Sequence, residues 1–243
     1  MHKTHTEVRS FYSGLILGDA TIDNGVSKRA LRISSINKDF LDYVKAFTDS
    51  YTPFKNYIRL LYKPYTDGNG VNRKETYEFV IKAHPYFRKL YPYFYNDYRK
   101  RIISNVTLQK LDLQGFANWY MSDGYVCQVG KAKGFIKDCR VDLCTDRYSL
   151  DNINKAVKYI TNVLGYRANI IKRKANNKYM YRIRINVIDA QRMFLDIDKF
   201  VVPSMKYKLI MPYSKEKSWM LPEYKSLMSN LISASTINEN SMI

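Results

Sequence analysis

The chain has few of the residues from which metal-ligating and redox sites are most often built. It contains 3 histidines and 3 cysteines in 243 residues, and no two cysteines form a Cys-x-x-Cys pair. This composition argues against a structural zinc site and against a histidine-based nuclease motif, but it leaves open an oxygen-liganded cation such as Mg²⁺. The odd number of cysteines argues against a disulfide framework and predicts a reducing compartment.

Long apolar runs are also missing. No stretch of about 18 apolar residues occurs, so we expect no membrane span. The first motif described below begins near residue 10, which leaves no room for a signal or transit peptide ahead of it. We therefore expect a protein that works where it is made, either in an organelle matrix (mitochondrion or plastid, organelle-encoded) or in a bacterial or phage cytoplasm.

Acidic residues are scarce relative to basic ones. The chain has 40 Lys and Arg against 22 Asp and Glu, a formal net charge of +18. Such an excess indicates a polyanionic partner, most simply nucleic acid. An anionic membrane surface is the alternative, but no basic amphipathic helix dominates the sequence. Because 46% of the residues are hydrophobic, the chain can bury a core of ordinary size.

One short motif occurs twice. Residues 11–21 read F-Y-S-G-L-I-L-G-D-A-T and residues 115–125 read G-F-A-N-W-Y-M-S-D-G-Y. Each is an apolar run of helical length that ends in a small residue, one aspartate and another small residue. The aspartates are Asp19 and Asp123. A carboxylate at the C-terminus of a helix faces the negative end of the helix dipole. Two such placements predict two carboxylates that meet at one point, although each motif alone is also compatible with a core helix that ends at a surface aspartate.

The order of predicted elements repeats as well. Each half reads αββαββα, so we predict an α+β fold of two pseudo-symmetric halves that form a saddle of antiparallel sheets. The predicted divisions are an N-terminal half at 1–108, a C-terminal half at 109–221 and a tail at 222–243 that begins as a short helix and then frays.

Several predicted strands place basic residues on one face. In the strand at 179–187, Tyr181, Ile183 and Ile185 alternate with Arg182 and Arg184. In the segment 57–63, the alternation puts Tyr57, Arg59, Leu61 and Lys63 on one side and Ile58, Leu60 and Tyr62 on the other. A sheet with one basic face can lie along a DNA groove, whereas a solvated sheet face is the plain alternative. The candidate DNA-binding residues are Arg32, Arg59, Lys63, Arg140, Lys172, Lys174, Arg182 and Arg184.

These motifs resemble a known family. The segments S-G-L-I-L-G-D-A at 13–20 and A-N-W-Y-M-S-D-G at 117–124 are similar to the two signature helices of the LAGLIDADG homing endonucleases, in their single-chain, double-motif form. The resemblance extends over residues 8–212. The second motif departs further, because Asn118 stands where the family has a small residue and Trp119 and Tyr120 are bulky. We expect these residues to loosen the contact between the helices.

The resemblance also implies the roles of particular residues. Small residues, Gly14 and Gly18 on one helix and Ala117 and Ser122 on the other, would let the helices approach closely. Their ends would then place Asp19 and Asp123 together as ligands of Mg²⁺, with help from the carbonyls of Gly18 and Ser122.

The family carries a basic residue near the end of each half that reaches toward the scissile phosphates. Alignment assigns Lys208 and Lys100 to these positions, although non-specific phosphate binding would account for either lysine. Ser35 and Thr145 occupy matching strand positions and are candidates for ordering water.

The predicted function is a monomeric, Mg²⁺-dependent endonuclease that cuts both strands of double-stranded DNA at a long, asymmetric target and leaves 3′ overhangs. Two alternatives stay open. One is an RNA maturase that assists the splicing of a group I intron. The other is a catalytically silent DNA-binding protein on the same scaffold.

Overall fold

The computed structural model describes residues 4–23, 29–51, 54–68, 70–132, 135–175, 178–211 and 219–240. The elements of the first half are α1 (His5–Leu17), β1 (Thr21–Ile22), β2 (Arg29–Ser35), α2 (Lys38–Tyr51), β3 (Asn56–Tyr62), β4 (Tyr65–Thr66), β5 (Asn72–Arg73), β6 (Thr76–His84), α3 (Pro85–Leu90) and α4 (Asn105–Leu108). The later elements are α5 (Leu113–Asp123), β7 (Gly124–Ala132), β8 (Phe135–Leu143), α6 (Leu150–Asn162), β9 (Ala168–Ala175), β10 (Lys178–Ile185), α7 (Val187–Ile197) and α8 (Pro222–Asn240). Within these residues, no helix is both long and apolar enough to cross a membrane.

Each half contains one antiparallel sheet of four strands. The strand order is β1-β2-β6-β3 in the first half and β7-β8-β10-β9 in the second. In both sheets the fourth strand of the half pairs between the second and the third, so the two halves share one topology. The small β4–β5 hairpin is an addition to the first half. This arrangement confirms the predicted α+β class and the internal repeat.

The two motif helices form the centre of the molecule, and local sequence explains where each begins. Thr4 caps α1 through a capping box with Glu7, and the Asp112 side chain accepts a hydrogen bond from the Gly115 N–H at the start of α5. From Val8 in α1 and from Gly115 in α5, most residues of the two helices are buried, including Trp119 and Tyr120. Their buried parts are apolar on most sides because α1 and α5 pack against each other within the core.

Glycine sets how closely α1 and α5 approach. A methyl group at Gly14 would lie 1.8 Å from the carbonyl oxygen of Gly115, and one at Gly18 would lie 2.4 Å from Cβ of Ser122. Gly14 therefore faces Gly115, a small residue of α5 that was not among those selected from the motif. The expectation that Asn118 loosens this contact is wrong, since Asn118 is fully buried and its Nδ2 donates to the Phe11 carbonyl at 3.2 Å.

The predicted alternation holds in one strand and fails in another. Ile183 and Ile185 are fully buried and Tyr181 packs against the core, as the pattern of β10 predicts. In β3, the register against β6 shifts between Leu60 and Tyr62, and both of these side chains are exposed. This irregularity breaks the period of two, so the predicted inward face of 58, 60 and 62 is wrong beyond Ile58.

The helix that begins the tail is longer than the short helix predicted. Helix α8 continues to Asn240, and its first turn is fixed to the second half. The Tyr224 hydroxyl donates to the Leu209 carbonyl at 2.7 Å and accepts from the Met211 N–H at 3.0 Å. The Ser/Asn-rich composition favoured fraying, but these long-range contacts stabilise the helix start.

Candidate active site

Asp19 and Asp123 lie at equivalent ends of the paired helices. Asp19 follows the C-terminal capping residue of α1, and Asp123 is the last residue of α5. Gly14 lies against Gly115, and Gly18, further along α1, lies against Ser122, further along α5, so the two helices run parallel. The two C-terminal ends therefore lie side by side, and one carboxylate from each half reaches the same place.

A single guanidinium lies between the two carboxylates. Nη2 of Arg147 is 3.1 Å from Oδ1 of Asp123 and 3.5 Å from Oδ1 of Asp19. The acids differ in surroundings, since the Asp19 side chain is 49% exposed and that of Asp123 is 7% exposed. Sequence reasoning did not identify Arg147.

Burial dominates the electrostatics of the inner acid. The pKa of Asp123 is raised to about 7, chiefly because burial penalises the charged form; the guanidinium of Arg147 lowers the pKa and the charge on Asp19 raises it, and about 7 is the balance of these effects. The pKa of Lys208 shifts in the opposite direction, and burial is again the largest cause. Burial lowers the pKa of its ammonium group, while the charges on Asp19 and Asp123 work against that shift.

Lys208 reaches the site from the 3₁₀ helix Pro203–Leu209. Its Nζ donates to the Met121 carbonyl at 2.5 Å, two residues before Asp123, and its own carbonyl accepts from the Tyr120 hydroxyl at 2.8 Å. The lysine is thus held against the end of α5, at the place that alignment assigned to it.

In the first half the corresponding place is occupied by Arg101. Its Nη1 donates to the carbonyls of Ile16 and Gly18 at 2.8 and 2.9 Å, and its Nη2 donates to the Ala20 carbonyl at 2.8 Å. Lys100, which alignment selected, is exposed, and its backbone N–H bonds to the Asn96 side chain. The structure therefore moves the basic position of this half by one residue, to Arg101.

The length of the loop that carries Arg147 is a signal by which this residue could have been selected. Residues 144–149 connect β8 to α6, whereas only residues 36–37 connect the equivalent β2 to α2. The loop after β8 is therefore longer than the loop after β2, and it begins beside Asp123, since the Cys144 N–H donates to the Asp123 carbonyl. A basic residue in such an insertion is a candidate site residue.

The two hydroxyl residues differ in their surroundings. Ser35 lines a cavity of 290 Å³ together with Asp19, Ser122 and Lys208, and its hydroxyl accepts a hydrogen bond from the Asn37 N–H at 3.0 Å. Thr145 is fully buried and its Oγ1 donates to the Tyr181 carbonyl at 2.9 Å. This geometry gives Thr145 a structural role and corrects its selection as a residue that orders water.

The eight predicted DNA-binding residues differ in their surroundings. Five are exposed: Arg59, Lys63, Arg140, Lys172 and Lys174. Four are arginines in ion pairs: Arg32 and Arg59 with Glu78, Arg182 with Asp146, and Arg184 with Asp142. Alternation does not reveal these partners, because the acids lie on neighbouring strands or on the loop at 144–149. The ion pairs fix the planes of the arginines and occupy part of their donors.

The donor set suits a hard divalent cation. Asp19 and Asp123 supply carboxylate oxygens, and the carbonyls of Gly18 and Ser122 stand directly before them. Among the described residues there is no group of three or more His, Cys, Asp or Glu that would enclose a metal. Such a partial oxygen shell fits Mg²⁺, which keeps several waters or phosphate oxygens as ligands.

The fold and the acid pair together define a single-chain protein with two motif helices whose aspartates meet at one site. The chain belongs to the LAGLIDADG DNA endonuclease family, whose sequence profile matches residues 9–193. It is similar to the probable intron-encoded DNA endonuclease 3 of Mycosarcoma maydis, with 26% identity over 139 residues, 56% of this chain and 93% of that protein. An uncharacterized protein of Methanocaldococcus jannaschii is 26% identical over 218 residues, 88% of this chain and 78% of that protein.

Among solved structures, the chain is similar in fold to the homing endonuclease I-WcaI bound to its DNA recognition sequence. The TM-score is 0.68 at 21% identity, over 87% of this chain and 89% of that one. This similarity supports the two-motif architecture described above.

Proposed function

We propose that this protein is a site-specific homing endonuclease that hydrolyses both strands of double-stranded DNA in a Mg²⁺-dependent reaction. The observation that carries the proposal is the meeting of Asp19 and Asp123 at the adjacent ends of α1 and α5. The family and the DNA-bound relative support the same class of substrate.

Each half contributes one acid and one basic group to a shared centre. Asp19 and Asp123, with the carbonyls of Gly18 and Ser122, would hold the divalent cation. When bound, this cation supplies charge stabilisation for in-line phosphodiester hydrolysis. Lys208 and Arg101 lie on either side, where cationic donors stabilise the charge that develops on a phosphate in the transition state. The cavity beside Asp19 gives the attacking water and the phosphate a place to bind.

The two halves have diverged in sequence, so a single chain would read two different half-sites. We propose a monomer with a long asymmetric target, cut to leave 3′ overhangs. An RNA maturase would need the basic surface but not a closely placed acid pair, so the geometry of the acids favours cleavage.

The test uses a supercoiled plasmid library that carries randomised or candidate target sites. The protein is incubated with the library in Mg²⁺ and, in parallel, in Ca²⁺ or EDTA. We expect linear product in Mg²⁺ alone, with one recurrent cut sequence recovered by ligation and sequencing. Absence of any cut product, together with specific binding of a structured group I intron RNA, would support the maturase instead.

A further inference from the structure

The position of Arg147 has a consequence for metal binding. Its guanidinium lies between the carboxylates of Asp19 and Asp123, which are the only acidic ligands that the proposed site offers among the described residues. We propose that Arg147 is a resident counter-cation of the acid pair, which a divalent ion must displace before it can bind. This inference rests on the proposed function and extends it to the order in which the site is assembled.

Residues on both sides of Arg147 anchor its loop to the two motif helices. The neighbouring Tyr148 hydroxyl donates to the Leu17 carbonyl of α1 at 2.9 Å. On the other side, the Cys144 N–H donates to the Asp123 carbonyl at 2.9 Å. The loop therefore delivers its arginine to the point where the two helix ends meet, and the contact with both acids follows from the fold rather than from a chance surface pairing.

Charge explains why the arginine stabilises the metal-free protein. Two carboxylates this close repel each other, and the inner one is almost fully buried. The guanidinium supplies one positive charge and several N–H donors in a plane, which suits two neighbouring carboxylates.

A divalent ion at the same carboxylates would lie a few ångströms from the guanidinium, and the two cations would repel each other strongly in this partly buried place. The Arg147 side chain is 34% exposed, so it can turn toward solvent without opening the core. The free protein should therefore bind divalent ions more weakly than the acid pair alone would.

The test measures Ca²⁺ binding by isothermal titration calorimetry to the DNA-free full chain at pH 8, which requires no cleavage. Arg147→Met removes the counter-cation and should bind Ca²⁺ at least about tenfold more tightly than wild type. Arg192→Met is the matched control. It removes the same charge from an ion pair on α7, whose acid Asp189 keeps a second partner in Arg167. The control should change the Ca²⁺ affinity less than about threefold.

Thermal unfolding in EDTA gives a second readout. Arg147→Met should unfold at a lower temperature than wild type and should gain more from added Ca²⁺, because the ion replaces the missing positive charge. If the methionine variant does not fold, Arg147→Gln is measured instead, since it is neutral but keeps amide donors for the carboxylates. Tighter Ca²⁺ binding is expected for it too.

Asp123→Asn separates the two levels of the proposal. If Asp123→Asn abolishes Ca²⁺ binding while the neutral Arg147 variants bind Ca²⁺ like wild type or more weakly, the counter-cation role is overturned and the proposed function stands. If Asp123→Asn binds Ca²⁺ as wild type does, the acid pair is not the metal site, and the proposed function fails together with this inference.

Discussion

Asp19 and Asp123 occupy equivalent positions in the repeat, yet their side chains have different surroundings. Asp19 faces the cavity and is half exposed, whereas Asp123 is covered by Arg147 and the end of α5. Burial alone accounts for most of the upward shift in the pKa of Asp123. The two ligands of one proposed metal site therefore differ in how strongly they favour the charged form.

This difference predicts how the stability of the metal-free protein depends on pH. Asp123 titrates near 7 in the folded protein and near about 4 in an unfolded chain. Between these values the native state binds a proton that the unfolded state has released, so stability falls as pH rises through this window and levels off above it. In EDTA at pH 8, Asp123→Asn should therefore raise the melting temperature by several degrees, with a smaller gain at pH 5. An equal effect at both pH values would contradict the raised pKa.

Lys208 offers a second test at the scale of the residue. Lys208→Met should slow the cleavage of bound DNA by about 10²–10³-fold, the usual cost of losing one charged transition-state contact, with little change in affinity. Lys206→Met is the matched control. It lies on the same 3₁₀ helix, and its ammonium group pairs with Asp198 instead of facing the acids. Single-turnover cleavage at saturating enzyme measures the effect. Equal rates for the two variants would remove Lys208 from the catalytic set.

At the scale of the element, the contact between α1 and α5 determines whether the acids meet. Gly14→Ala would place a methyl group against the backbone of α5. It should destabilise the fold by about 1–3 kcal/mol, because backbone cannot move aside as a flexible side chain can. Gly68→Ala is the control, since a methyl group there has no neighbour within 4 Å, and it should change stability by less than about 0.5 kcal/mol. Urea unfolding measures both. Equal stability of the two variants would refute the close approach.

The paired arginines of the sheets give a prediction that separates stability from DNA binding. Arg184→Met leaves Asp142 without its ion-pair partner, and that carboxylate is only 5% exposed. The cost should be about 1–3 kcal/mol, less than for a fully buried pair because Arg184 itself is 26% exposed. Lys174→Met, on the neighbouring strand β9, should leave stability unchanged and weaken DNA binding only. A melting temperature of Arg184→Met equal to that of Lys174→Met would show that the ion pair adds nothing to the fold.

Much of this element structure could be predicted from the sequence. Apolar runs, strand alternation and the repeated motif are local or periodic signals, and they yielded α1, α5, β10 and the repeat itself. The choice of Gly115 as the partner of Gly14 required the register between two helices, which neither helix encodes alone. The irregularity at Leu60 and the docking of Tyr224 likewise depend on contacts between distant segments.

The acids could be found from the motif, whereas the cations around them could not be placed precisely. Lys208, which the family pattern selected, lies at the end of α5 beside Asp123, and its catalytic role stays a prediction. Lys100 and Arg101 are adjacent, and only the turn of the chain after residue 95 decides which one reaches α1. Arg147 lies in a loop that has no counterpart of equal length in the first half. Repeat-based reasoning therefore had no equivalent position from which to infer it.

At the scale of the whole molecule, the two halves share one topology but place different side chains around the acid pair where they meet. Both sheets have the same strand order. The basic group beside the acids is an arginine in one half and a lysine in the other, and the bridging arginine comes from the second half alone. A symmetric scaffold with an asymmetric centre is consistent with the proposed cleavage of two different DNA strands by one chain.

Paired cleavage and binding assays of the two acid variants test most directly whether one acid from each half forms a single metal-dependent catalytic centre. On a selected target duplex in Mg²⁺, Asp19→Asn and Asp123→Asn should each abolish double-strand cleavage. Each variant should bind the same duplex within a few-fold of wild type, since neither removes a phosphate-contacting cation. Double-strand cleavage by either variant at the wild-type rate, with binding intact, would contradict the assignment of the acid pair as the active site.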